Sequence, residues 1–400
     1  MTGSAAYLAR YQSSLLGVFG TPALVLDHGQ GCWVYDVEGR RYLDLIGGIA
    51  VNTLGHNHPA LVEAITRQAA AAIHVSNFFT TPAQIELAEA LLRIAQAPAG
   101  SGVFFANSGA EAIEAAIKLA RRTGRTALVA ADGAFHGRTT GALALTSKAA
   151  YRVPFEPLLP GVRHIPFGDV DALDAAVTEE TAALFLEPIQ GEAGVIPATA
   201  NYLRAAREIT AARGALLILD EIQSGMGRTG SWFAFQAADI VPDAITIAKG
   251  LGGGVPIGAL LALGPEVATL LQPGGHGSTF GGNPLASAAG LAVINEIERA
   301  DLRAHAVAVG EHLSERVAAL RHPAVTGVRG VGLLRALTLA RDIAPAVAAA
   351  FRERGILVNP VAPNALRLAP PLIITTAELD NFVDHLPAAL DAAGATKEHS

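Results

Sequence analysis

A chain of 400 residues can bury a large core, and 51% hydrophobic against 16% charged residues excludes a disordered chain. With 29 basic and 36 acidic residues the net charge is −7, and no local cluster of Lys and Arg reverses it; nucleic acid and an anionic membrane surface are excluded as electrostatic partners. Cys32 is the only cysteine, which rules out an intramolecular disulfide and a thiolate metal cluster.

In chain order, residues 1–20 lack a basic stretch followed by an apolar one, so no secretory signal is expected and the chain reads as cytoplasmic. Gly39 is placed to turn a hairpin between strands at 33–35 and 42–45. Short apolar runs follow at 103–106, 127–131, 182–186, 216–219 and 244–248, with helical patterns at 111–122, 202–213 and 284–298. Runs that are apolar throughout, spaced by helices, predict a mostly parallel sheet covered on both faces. The weakly charged stretch 250–265 is broken by glycines and Pro256, and the stretch after Val267 contains Gln272, His276, Ser278 and Asn283, so neither is a membrane span. Beyond them come a helix at 302–320, strands at 325–331, 333–339, 355–358 and 366–369, and a last helix from Thr376. The fold class is therefore α/β: a large domain at 56–282 carrying the sheet, and a smaller α+β domain from 1–55 and 283–400.

Ligands of such sheets bind at the carboxyl ends of the strands. Four runs end in polar residues there: Asn107-Ser108-Gly109, Glu187-Pro188, Asp220-Glu221 and Lys249-Gly250. A lysine in that position becomes a nucleophile once burial lowers its pKa; alternatively it caps a strand end in water. Asp220 either caps the turn that follows or stands against a pyridine nitrogen, keeping it protonated as an electron sink requires. Asp220 and Lys249 at successive strand ends are more specific than either alone, and together point to pyridoxal 5′-phosphate. Ser108 with Glu111 three residues on fits a capping box, and a helix N-terminus among small residues could take a phosphate. Phe135 could stack on a planar ring, and Arg138 could hold a carboxylate in a two-pronged contact. His136, and His56 with His58, read as structural histidines; no metal site is expected.

These motifs resemble the class III (ω-) aminotransferases, of fold type I among pyridoxal-phosphate enzymes, over nearly the whole chain. The likeness is carried by Asn107-Ser108-Gly109-Ala110-Glu111, Phe135-His136-Gly137-Arg138-Thr139, Glu187-Pro188-Ile189-Gln190-Gly191-Glu192, Asp220-Glu221-Ile222-Gln223, Ala248-Lys249-Gly250-Leu251-Gly252-Gly253-Gly254 and Ser278-Thr279-Phe280-Gly281-Gly282-Asn283-Pro284.

The resemblance implies that Lys249 forms the Schiff base with the cofactor and shuttles a proton, while Asp220 pairs with the pyridine nitrogen. It implies Phe135 and Ile222 on the two ring faces, Gln223 near the phenolic oxygen, and Ser108, Gly109 and Ala110 at the phosphate. Thr279 would reach the phosphate in a neighbouring subunit, with Ser278 beside it, so a homodimer would share its active sites. Arg138 would bind the remote carboxylate of each substrate and Arg367 the α-carboxylate of glutamate, silenced by Glu192 when the other substrate reacts. Within the class the likeness is greatest to enzymes acting on N-acetylornithine. It implies transfer of its δ-amino group to 2-oxoglutarate, a step of arginine biosynthesis, and Phe19 and Ile49 in place of tyrosines suit an acylated nitrogen. Succinylornithine, ornithine, 4-aminobutyrate and lysine-pathway amines are the alternative donors. A glutamate-1-semialdehyde aminomutase would not need Arg367, and Lys249, Asp220 and Arg138 together speak against an idle pyridoxal-phosphate-binding domain.

Overall fold

The computed structural model describes residues 3–395. At its centre is a seven-stranded sheet of β1 (Gly102–Ala106), β2 (Ala127–Ala131), β3 (Val162–Ile165), β4 (Thr181–Leu186), β5 (Leu216–Asp220), β6 (Ala244–Ile247) and β7 (Gly258–Ala262), in the order β1-β7-β6-β5-β4-β2-β3. All six residues of β4 are buried, as helices on both faces of a parallel sheet require. β2 through β6 pair in parallel.

β7 is the exception, antiparallel to both β6 and β1. Its apolar residues offer no sign of direction. The connection from β6 is too short to hold a crossover helix, so the chain can only double back. β3, an edge strand with one fully buried residue, also escapes the sequence reading.

Helix α1 (Gly109–Arg121) shows why these segments are helical. It buries Ala112, Ile113, Ala116 and Ala120 on one face against β6 and β7, while Lys118 and Arg121 sit in its last turn. Helix α2 (Ala200–Arg213) starts under the Thr199 cap and stops at Gly214, whose φ of 63° is the left-handed geometry glycine adopts without strain.

A four-stranded sheet joins Leu26–Gln30, Trp33–Asp36 and Arg41–Asp44 to Ile356–Leu357 from the far end of the chain, the last parallel to Arg41–Asp44. The expected strand at 355–358 is thus only Ile356–Leu357, and it ties the two termini together. At the hairpin Gly39 has φ 82°, and Asp36 Oδ1 accepts the N–H groups of Glu38 and Arg40. An antiparallel sheet orders Val325–Val331, Leu334–Leu339, Ala365–Leu368 and Asn359–Ala362. Helix Pro284–Arg299 packs on Pro59–Ala71 and Pro82–Ile94, beside the large sheet. One apolar cluster runs through both regions, from Leu43 through Leu184 and Ile247 to the stacked Phe351 and Phe382. Among the described residues no helix is long and apolar enough to cross a membrane.

Candidate active site

The carboxyl ends of β1, β2, β4, β5 and β6 converge on one cavity of about 430 Å³, closed by Gly254–Ile257 ahead of β7. Ser108, Gly109, Ala110, Phe135, Arg138, Asp220, Ile222, Gln223 and Lys249 all line it. These residues are scattered over the sequence, and the parallel strands alone bring them to one edge.

Lys249 follows β6 at φ 41°, an uncommon conformation for a side chain with a Cβ, which turns it off the strand direction. Burial holds its ammonium below the ordinary lysine range, assisted by the charge of Arg367 and opposed by Glu192, Asp220 and Glu187. Asp220, the last residue of β5, is 5% exposed. Its Oδ1 accepts the Ile222 N–H at 3.0 Å and its Oδ2 faces His136 Nδ1 at 2.8 Å.

His136 is therefore more than the satisfied structural histidine expected from sequence. It lines the cavity, anchors Asp220 and leaves a buried Nε2 unpartnered among the described residues. Burial pulls its pKa down, but the hydrogen bond and charge of Asp220, with Glu187 behind, win and raise it. Its Nδ1 proton thus lies toward Asp220. Glu187, after β4, accepts the Phe135 N–H at 3.1 Å. Burial, then the charge of Asp220, pushes it up to about 8 against the pull of His136, the Phe135 N–H and Lys249. His56 and His58 separate, to Asp44 at 2.9 Å and Glu296 at 3.6 Å.

Helix α1 begins at the cavity wall. Ser108 Oγ accepts the Glu111 N–H at 3.2 Å, half of the expected capping box. The other half is displaced: Glu111 Oε2 accepts from Asn107, main chain at 3.0 Å and side chain at 2.8 Å, not from the Ser108 N–H. One step back, the carboxylate gathers two donors in place of one. Close approach demands glycine here, since a Cβ on Gly109 would lie 2.7 Å from Ile222 and one on Gly258 would lie 2.4 Å from the Ser108 carbonyl oxygen. Asn107 Nδ2 also donates to Ser278 Oγ at 3.1 Å. Exposed Thr279 lies outside the cavity, in a depression shared with His74, Ser76, Asn77 and Phe78.

Of the two arginines expected to bind substrate, Arg138 lines the cavity and Arg367 does not. Arg367, 2% exposed, donates from Nη1 to Glu192 Oε1 at 2.5 Å and Gln223 Oε1 at 3.1 Å, and from Nη2 to Asn359 Oδ1 at 2.8 Å. Glu192 stands on the loop between the paired Ile189–Gln190 and Ile196–Pro197. Arg138 is exposed, its guanidinium 3.5 Å from the ring centre of Tyr151 and 5.7 Å from that of Phe135. The sequence places Glu187 at a strand's carboxyl end without giving it a role, and reads His136 without its partner Asp220; Asn359 and Tyr151 carry no signal in it.

The donor set fits pyridoxal 5′-phosphate. A buried amine of lowered pKa suits its aldehyde, and a carboxylate fixed by an imidazole and a main-chain N–H suits its ring nitrogen. Phe135 and Ile222 supply flat apolar walls, and the open start of α1 suits its phosphate.

Comparison with known proteins agrees. The Aminotransferase class-III family model matches residues 19–390. The chain is 55% identical over 397 residues to acetylornithine aminotransferase of Mycobacterium tuberculosis, covering 98% of this chain and 99% of that one. It superposes on N-acetylornithine aminotransferase of Stenotrophomonas maltophilia with a TM-score of 0.84 at 36% identity, covering 97% and 100% of the two chains. On ornithine aminotransferase of Toxoplasma gondii, described with PLP partially occupying its active site, the TM-score is 0.92 at 30% identity, covering 100% and 97%.

The chain belongs to the class-III aminotransferases, and its cofactor is pyridoxal 5′-phosphate.

Proposed function

We propose that this aminotransferase transfers the δ-amino group of N-acetylornithine to 2-oxoglutarate, giving N-acetylglutamate semialdehyde and glutamate, in arginine biosynthesis. The substrate reading is supported by the relatives that act on acetylornithine, one of them 55% identical over nearly its whole length. The observation that carries it in the structure is the pairing of buried Arg367 with half-exposed Glu192. A donor reacting at its far end brings no carboxylate to Arg367, whereas glutamate does, so the arginine needs a removable partner.

When bound, the cofactor supplies an aldehyde that takes up the amino group and a ring that holds the electrons left as a C–H bond breaks. Lys249 would hold that aldehyde, and its amine would take the proton from the substrate carbon bearing the nitrogen. Asp220, oriented by His136 and the Ile222 N–H, would keep the ring nitrogen protonated. Phe135 and Ile222 would fix the ring plane, with Gln223 at its phenolic edge. The N–H groups of Gly109 and Ala110, beside Ser108, would hold the phosphate. Arg138, on the Tyr151 ring, would hold the carboxylate remote from the reacting carbon in both substrates.

We also read the protein as a cytoplasmic homodimer. Phe78 is 92% exposed, Phe19 89%, Phe79 72% and Phe280 58%, and Phe280 adjoins Thr279, for which this chain's own cavity has no place. Burial of so many exposed aromatics is what a second subunit would accomplish. Ile49, also exposed, and Phe19 do not line the cavity of the single chain, so their effect on substrate choice rests on that dimer too.

The test is the absorbance of the cofactor-loaded enzyme offered N-acetylornithine, ornithine, 4-aminobutyrate and glutamate one at a time. Fast conversion by N-acetylornithine and glutamate, with slow conversion by the others, is expected. Conversion by glutamate and a different amine would overturn the substrate reading.

A further inference from the structure

Three side-chain oxygens share the buried guanidinium of Arg367, and they differ in kind. Glu192 brings a charge; it is 35% exposed and stands on a loop. Gln223 and Asn359 bring only amide oxygens. Asn359 lies directly opposite Arg367 in the register of two antiparallel strands, so the sheet itself fixes the distance between them. The orientation of its amide follows from its partner, because a guanidinium can only donate.

A buried guanidinium whose hydrogens find no acceptor is costly, and one paired with a carboxylate is no longer free for another anion. A neutral acceptor avoids both outcomes. It satisfies an N–H and holds the group in place, yet leaves the positive charge uncancelled. We propose that Asn359 is the fixed positioning residue of Arg367, a neutral anchor that keeps the guanidinium placed and cationic when Glu192 withdraws for the α-carboxylate of glutamate. This rests on the reading of Arg367 as the glutamate-binding arginine. Charge neutrality at residue 359 is then the essential property. An aspartate there keeps the shape and the acceptor but pairs the arginine permanently, shutting out the incoming carboxylate.

Asn359→Asp and Asn359→Ala should be compared with wild type as cofactor-loaded enzymes, following each half-reaction separately. Asn359→Asp should raise the KM for glutamate by about tenfold or more, the scale of a charge-assisted contact, with little change in the maximal rate. Asn359→Ala should raise it less, because the charge stays available while its position loosens. The N-acetylornithine half-reaction should stay close to wild type in both, which also shows that the variants fold and hold cofactor. An unchanged KM for glutamate in Asn359→Asp overturns the proposal, and so does an equal loss in both half-reactions. The premises are tested by wild type alone. If glutamate fails to convert it, the reading of Arg367 falls; if only N-acetylornithine fails, the substrate reading falls while the glutamate comparison still decides the role of Asn359.

Discussion

Lys249 and Asp220 stand out in the sequence because a charged residue directly after a wholly apolar run has few reasons to be there. Replacing Lys249 with alanine should abolish turnover, and glutamate should no longer change the cofactor absorbance, while the melting temperature in the absence of cofactor stays close to wild type. Residual turnover near the wild-type rate would remove Lys249 from the mechanism. Glu221, the next residue after Asp220, carries a different consequence. It is buried, accepting from Ser224 Oγ and from the Phe235 N–H, and burial pushes its pKa from 4.5 up to about 7. The fold thus favours its neutral form. That contribution to stability is complete below pH 4.5 and is lost as pH rises through about 7. Glu221→Gln cannot titrate, so its melting temperature should gain on wild type across that window and level off above it. A difference that does not vary with pH would show that the carboxyl titrates alike in the folded and unfolded chain. Neither Asn359 nor Tyr151 could be singled out from sequence. Each matters through a partner, Arg367 eight positions away across a hairpin or Arg138 on a separate loop.

At the scale of elements, local periodicity locates the helices Gly109–Arg121, Ala200–Arg213, Pro284–Arg299 and Leu302–Leu320 to within a residue or two, while Pro59–Ala71, Pro82–Ile94 and Ala344–Glu353 escape it. Thr199 caps Ala200–Arg213 in the structure, exposed and accepting the Tyr202 N–H at 3.1 Å. Thr199→Ala should cost about 1 kcal/mol and lower the melting temperature by about one degree without altering either half-reaction. A loss of activity as large as the loss of stability would mean that the start of α2 reaches the site. The direction of β7 was not legible, since apolar strands read alike both ways and only the short connection from β6 reverses it. That reversal puts Gly258 beneath the first turn of α1. Gly258→Ala should push Ser108 aside and weaken cofactor binding, measured by equilibrium dialysis, well before the fold is lost. Unchanged cofactor affinity would separate β7 from the phosphate end of the site.

For the whole molecule, one apolar cluster spanning the large sheet and the terminal regions predicts that these parts lose structure together. Cys32 reports on it: the thiol is 2% exposed, and burial, reinforced by Glu378 and Asp44, pushes its pKa far up. Alkylation should be negligible in the native protein and should appear with the denaturation midpoint seen by circular dichroism. Labelling well before that midpoint would show that the terminal sheet opens separately. The sequence by itself determined the α/β alternation and the strand ends that carry chemistry, because burial pattern and residue type act over a few positions; the class of reaction it implied only through its resemblance to a known family. Tertiary structure alone decided that Arg367 meets Glu192, Gln223 and Asn359, that His136 holds Asp220, and that Thr279 stands outside its own cavity. Those facts depend on strand order, register and packing, which bring distant residues within hydrogen-bond reach and leave no trace in local composition.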